Sequence, residues 1–181
     1  YADDYSSATY RLDPKAKFQD GTTITPADVI WSFETLKRIS PQYNKYFANV
    51  VSAAETAPGE VTFTFDQTGN RELPHIMGDL AVLPKAWWTG TDAQGKARNI
   101  DDPTLEPPLG SGAWRIASFE AGKEIVWERV KDYWAASKPV NVGRLNVERR
   151  VYRYFLDDNA RWQAFTKGGF QDIRIEKRSQ K

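Results

Sequence analysis

The sequence has one histidine, His75, and no cysteine. A metal site would therefore rest on carboxylates plus a single imidazole. His75 stands beside Pro74 in a short helical stretch and reads as a structural or surface residue. Carboxylates occur as adjacent pairs, Asp3-Asp4, Asp101-Asp102 and Asp157-Asp158. Paired acids can serve acid/base chemistry, but neighbours in loops read as solvated surface or helix caps. There is no Gly-x-Ser-x-Gly elbow, P-loop or dinucleotide fingerprint. Gly110-Ser111-Gly112 follows Pro107-Pro108 and precedes a strand, so it lacks the helix N-terminus that captures phosphate and reads as a tight turn. Neither an enzyme nor a cofactor is expected.

Aromatic residues are the unusual component, with 7 Trp, 8 Tyr and 9 Phe. Exposed rings stack on sugars or line peptide grooves. Phe33, Phe63, Phe65 and Trp127 are assigned to the core. Tyr43 and Tyr46 differ, because they follow a helix end, carry a polar tip and sit among Asn44, Lys45 and Asn49. They are candidates for a cleft wall, with core packing as the alternative.

The elements that must position these residues begin with Thr9 to Ile39. Tyr10 and Leu12 share one strand face, and Pro14, Asp20 and Gly21 punctuate a turn. Thr25 is an N-cap, Pro26 sits where a missing N–H costs nothing, and Asp28 completes a capping box. Val29, Ile30, Phe33 and Leu36 recur at helical spacing. A short helix is expected at QYNKYFANV. An antiparallel hairpin follows, Val50 to Thr56 and Glu60 to Asp66, with Val61, Phe63 and Phe65 inward and Thr62 and Thr64 outward. Arg71 to Met77 reads as a helix begun late by Pro74, Ala81 to Leu83 as an apolar run, and Lys85 to Trp88 as one helical turn. Thr89 to Pro108 reads as a long surface loop. A second hairpin, Ala113 to Phe119 and Lys123 to Val130, precedes a long strand candidate at Arg144 to Phe155. Asp157 can cap a helix with Ala160, Ala164 and Phe165 on one side, ended by Gly168-Gly169. Phe170 to Glu176 reads as a strand.

At 181 residues the chain can hold one or two domains with a real core. With 25 Lys plus Arg against 24 Asp plus Glu, no basic excess exists to bind nucleic acid. No run approaches the roughly 18 apolar residues of a membrane span. The start at Tyr1, without an initiator Met or signal segment, predicts a fragment or processed product of a longer chain.

Three blocks carry a family resemblance. The strand ending in Arg-Leu, the Lys-Phe-x-Asp-Gly turn and the Thr-Pro-Ala-Asp-Val-Ile-x-Ser-Phe helix start form the first. PPLGSGAWRIASFEAGKEIVWERVKDYW, with Glu128, Arg129, Tyr133 and Trp134, forms the second. Gly169-Phe170-Gln171-Asp172-Ile173 closes the third. In this order they resemble the oligopeptide/dipeptide/nickel class of ABC-transporter solute-binding proteins. RELPHIMGDLAVLPKAWW and the TDAQG loop resemble its oligopeptide and microcin subgroup. Gly112-Ala113-Trp114 replaces the usual Gly-Pro-Tyr, and Val130 stands where the family often has Asn.

The resemblance implies an α+β (mixed α/β) fragment of the first lobe of a type II periplasmic binding protein, with antiparallel or mixed sheets and flanking helices. Residues 1–107 would form its small α/β subdomain with a connecting loop. Residues 108–181 would supply returning strands and a helix of the main subdomain, and the second lobe would be absent. The implied protein is a periplasmic monomer, exported on a signal peptide that this chain does not contain. It would bind an oligopeptide or peptide-like ligand and deliver it to an inner-membrane ABC permease. By position, Tyr43 resembles an aromatic bordering the cleft. The strand Ile173-Arg174-Ile175-Glu176 resembles one reaching the peptide, with Arg174 meeting a carboxylate and Glu176 an ammonium group, or else both being surface charges on an edge strand. The alternative from another class is a stand-alone aromatic-rich binding or sensory module, for carbohydrate among other ligands.

Overall fold

In the computed structural model, which describes residues 1–169, the chain begins with β1 (Ser7–Arg11), α1 (Pro26–Ile39) and α2 (Pro41–Tyr46). The hairpin β2 (Val50–Ala57) and β3 (Glu60–Phe65) follows, then the short helices α3 (Leu73–Gly78) and α4 (Lys85–Trp88). The remainder comprises β4 (Trp114–Glu120), β5 (Glu124–Arg129), β6 (Arg149–Arg153) and α5 (Asp158–Thr166). Two units result: Tyr1–Arg115 with Val130–Leu145, and Ile116–Arg129 with the chain from Asn146 onward. The expected strand at Phe170 to Glu176 lies outside the described residues.

The first unit is organised by β3, the centre of an antiparallel sheet ordered β1-β3-β2. Its alternation is the one the sequence predicts. Val61, Phe63 and Phe65 are buried, whereas the Thr62 hydroxyl bonds those of Thr9 and Thr56 across both neighbouring strands, each at 2.8 Å. Ala8, Val29, Phe33, Phe47, Val50, Leu73 and Met77 complete this core. The turn into β3 needs Gly59, whose φ of +76° suits a residue without a Cβ.

Helix α1 starts as its cap dictates. Thr25 Oγ1 accepts the Asp28 N–H at 3.3 Å, and Asp28 Oδ2 accepts the Thr25 N–H at 2.9 Å. Such a cap stabilises a helix by about 1 kcal/mol. Beyond the expected apolar stripe, α1 buries three polar residues, Asp28, Ser32 and Thr35. They sit at helical spacing, and two of them bind a segment 51 and 57 residues away.

A second, smaller cluster of Ala16, Phe18 and Ile24 packs with Leu109 and Trp134. Gln19 ties the two sequence blocks together. Its side-chain amide donates to the carbonyls of Gly112 (3.0 Å) and Trp114 (2.8 Å), and its backbone N–H donates to Gly110 O at 2.9 Å. Lys138 binds Asp13 nearby and, with the Lys15 N–H, holds the Asp13 carboxyl below its ordinary pKa. The first two of the blocks that carried the resemblance thus brace one another.

The long segment after α4 is less free than a bare loop. Thr91 and Ala97 form an isolated bridge around a turn built on Asp92. Arg98 then stacks on the Trp87 ring at 4.1 Å, donates to Trp87 O, and forks onto Glu106 at 2.7 and 2.6 Å. The fork lowers the Glu106 pKa and raises that of Arg98.

The second unit holds a sheet ordered β4-β5-β6, with β5 and β6 antiparallel from Glu124↔Arg153 to Glu128↔Arg149. The expected hairpin turns at Gly122, whose φ is +73°. Two expectations are corrected here. The strand predicted over Arg144 to Phe155 shrinks to Arg149–Arg153, because Leu145 takes a left-handed φ of +63° just after Gly143 at +77°. Trp127, assigned to the core, is only half-buried, and its neighbour Val126 fills the interior. Asp157 caps α5 by accepting the Ala160 N–H at 2.8 Å, as predicted.

Candidate functional site

Ser40 ends α1 and begins α2. Its N–H donates to Leu36 O at 3.1 Å, and its Oγ accepts the Tyr43 N–H at 3.3 Å. Pro41 occupies the first helical turn, where its missing N–H is harmless. This short helix delivers three aromatic residues to one place. Phe47 is fully buried and packs on Phe33 at 5.8 Å. Tyr43 stacks on Phe47 at 5.4 Å with planes 24° apart, while Tyr46 meets the same ring at 5.5 Å and 45°.

The two tyrosines therefore come together, but not as equals. Tyr43 is half-buried and packs against the core, so its ring is fixed. Tyr46 is 43% exposed, and Val51 close by in sequence is 63% exposed. The arrangement is an aromatic ledge with a rigid base and a solvent-facing rim, suited to apolar or ring-stacking contact. Polar side chains beside it are already engaged: Asn49 donates to Asp66 at 3.0 Å, Asn44 to Lys37 O at 3.1 Å, and Lys37 Nζ to Val50 O at 2.6 Å. Ile173, Arg174 and Glu176 lie outside the described residues.

Sequence reasoning missed the polar half of α1. Ser32 Oγ donates to Asp28 O at 2.6 Å and accepts the Leu83 N–H at 2.8 Å. Asp28 divides its carboxylate, with Oδ2 capping its own helix and Oδ1 accepting the Lys85 N–H at 3.0 Å, the first turn of α4. The signal available was spacing: Asp28 and Ser32 are four apart inside an otherwise apolar stripe. Gln19 and Arg98 carry no comparable local signal.

His75 is exposed on α3. No group of three or more His, Cys, Asp or Glu side chains among the described residues is placed to hold a metal ion. The Gly110–Gly112 turn borders a shallow depression of about 290 Å³, open solvent included, lined also by Lys17, Phe18, Tyr133 and Trp134. No described helix is long and apolar enough to cross a membrane.

The family description "Bacterial extracellular solute-binding proteins, family 5 Middle" matches residues 1–180. The chain is 46% identical over 168 residues to the uncharacterized protein y4wM of Sinorhizobium fredii, covering 93% of this chain and 25% of that protein. It is 45% identical over 176 residues to the protein named "Probable peptide-binding protein YejA" of Agrobacterium fabrum, covering 97% of this chain and 28% of that one. The chain thus spans little more than a quarter of the length of these curated relatives. Among solved structures, the ABC transporter substrate-binding protein CtaP of Listeria monocytogenes superposes with a TM-score of 0.71 at 21% identity, over 93% of this chain and 33% of that one. That likeness fixes the fold, an α+β lobe of the periplasmic-binding-protein type. With the family match running nearly end to end, the chain belongs to family 5 of the bacterial extracellular solute-binding proteins.

Proposed function

We propose that this chain is part of the substrate-binding component of an ABC importer, which takes up oligopeptides or peptide-like solutes in the periplasm and passes them to an inner-membrane permease. The observation that carries the reading is the 45% identity, over nearly the whole chain, with a relative named as peptide-binding. Family membership disfavours the stand-alone carbohydrate module. On this reading residues 1–107 and 108–181 are two parts of one lobe, the second lobe is contributed by polypeptide outside this chain, and the receptor works as a monomer. Ligand is held and released without bond making or breaking. Its binding shifts the population toward the closed clamp by contacts that exist only there.

Tyr43 and Tyr46 supply the cleft wall that these residues contribute, with Ile173, Arg174 and Glu176 as further contacts. The aromatic ledge supports this role, because a ring fixed on buried Phe47 presents apolar surface at little cost in side-chain entropy. Mass-spectrometric identification of solutes that co-purify with the full-length polypeptide, exported to the periplasm, tests the reading. Short peptides are expected. A sugar or a metal chelate as the sole bound species would overturn it.

A further inference from the structure

Lys37 stands in the last turn of α1, where the final carbonyls of a helix have no partner within it. Its own carbonyl finds one in α2, accepting the Asn44 Nδ2–H at 3.1 Å. Its side chain reaches a second point. Nζ donates to Val50 O at 2.6 Å, where the chain enters β2 beside a shift in its register with β3. The same Nζ lies 5.6 Å from the centre of the Phe33 ring, within range of a cation–π contact. Phe33 packs on Phe47, and Phe47 on both tyrosines of the ledge. Val50 is fully buried, and its N–H donates to Phe47 O at 3.0 Å. One residue thus grips the ring-bearing chain twice, at Asn44 beside Tyr43 and at Val50 just beyond Phe47. Because α2 itself buries no residue, its placement depends on Phe47, the Ser40 cap and this grip. A hydrogen bond from an ammonium group is roughly twice as strong as a neutral one, so the hold at Val50 is firm.

We infer that Lys37 is a positioning residue for peptide binding, holding Tyr43 and Tyr46 as a preformed wall without touching the ligand. This rests on the peptide reading above and adds to it a residue behind the wall that sets affinity. Side chains ordered before the ligand arrives spare the entropy of ordering them on binding. Lys37 supplies that order through the backbone, at the two points where α2 would otherwise swing free of the core.

The test uses a full-length polypeptide containing this chain, with two readouts on each variant. Nitration of Tyr43 and Tyr46 by tetranitromethane, mapped by mass spectrometry, reports how firmly the rings are held. Calorimetric titration with a mixed oligopeptide pool reports affinity. Lys37→Met keeps the aliphatic stem and removes the donor with its charge. Tyr43 should then nitrate faster, and affinity should fall about 3- to 10-fold, the cost of ordering a side chain on binding instead of beforehand. Lys37→Arg keeps a cationic donor and should restore both. Arg38→Met, which removes only the neighbouring pair with Asp101, should change neither. A lysine that served overall stability alone would leave both readouts of a folded variant unmoved. If Lys37→Met does not fold, Asn44→Ala, which releases the other grip, takes its place with the same expected direction. Unchanged nitration or unchanged affinity in the folded variant, or equal losses in Lys37→Arg, overturns the positioning role and leaves the peptide reading standing. No peptide binding by the wild type overturns both.

Discussion

The two units bury their apolar residues very differently. The first closes a ten-residue core around Phe63 and Phe47 and adds a second cluster around Phe18. In the second, Val126 is the single buried residue among those described. Val147, Val151, Tyr152, Tyr154 and Trp162 are each about half exposed, and Leu156 fully so. Large apolar side chains left in water are what a piece of a bigger interior looks like when its neighbours are elsewhere. The first unit holds its shape by its own packing. The second has a hydrogen-bonded sheet but little core to defend it.

The comparison is broken most forcefully at Phe63. Phe63→Ala should destabilise the first unit by about 3–5 kcal/mol in denaturant unfolding, the usual cost of removing a buried aromatic. Val126→Ala should leave that transition unmoved; an equal loss would mean that both units share one core. Next is the buried carboxylate of Asp28. Asp28→Ala removes the carboxylate that accepts the Thr25 N–H and strands the Lys85 N–H, so about 1–3 kcal/mol of first-unit stability should go. Thr25→Ala, which removes only one side of the cap, should cost about 1 kcal/mol in the same measurement.

A smaller effect contrasts two ion pairs by pH. Arg98 holds the Glu106 carboxyl below its ordinary pKa, so the pair stabilises the fold above the unfolded carboxylate pKa and loses that contribution as pH falls through the lowered value. Glu106→Gln should therefore flatten the acid limb of a stability–pH profile for the first unit. Glu120 pairs with Lys123 on the exposed turn of the second unit and raises the lysine's pKa, so its contribution is present at lower pH and lost as pH rises past the lysine's normal value. Both groups are largely solvated, and Glu120→Gln should change stability little. Hydrogen exchange gives a final check: the β3 amides should be the slowest and those of β6 among the fastest strand amides.

What could be read from sequence was local. The Thr25–Asp28 box, the β3 alternation, the Pro58-Gly59 hairpin and the Asp157 cap each lie within a few residues, where spacing alone fixes geometry. What escaped was long-range or conformationally rare. Gln19 meets Gly112 and Trp114 across 93 and 95 residues, and Ser32 meets Leu83 across 51. Leu145 enters the left-handed region where a glycine would be expected, so its strand could not be ended in advance. At the site, the sequence singled out Tyr43 and Tyr46 by composition. It gave no sign that both would rest on Phe47.

A calorimetric titration with a mixed oligopeptide pool, run in parallel on the 181-residue chain and on a full-length polypeptide containing it, tests the half-clamp account most directly. Affinity should come from both walls of the cleft and their preorganisation, so the full-length polypeptide should bind at least about 100-fold more tightly than the chain alone. Equal, tight binding by residues 1–181 would contradict it.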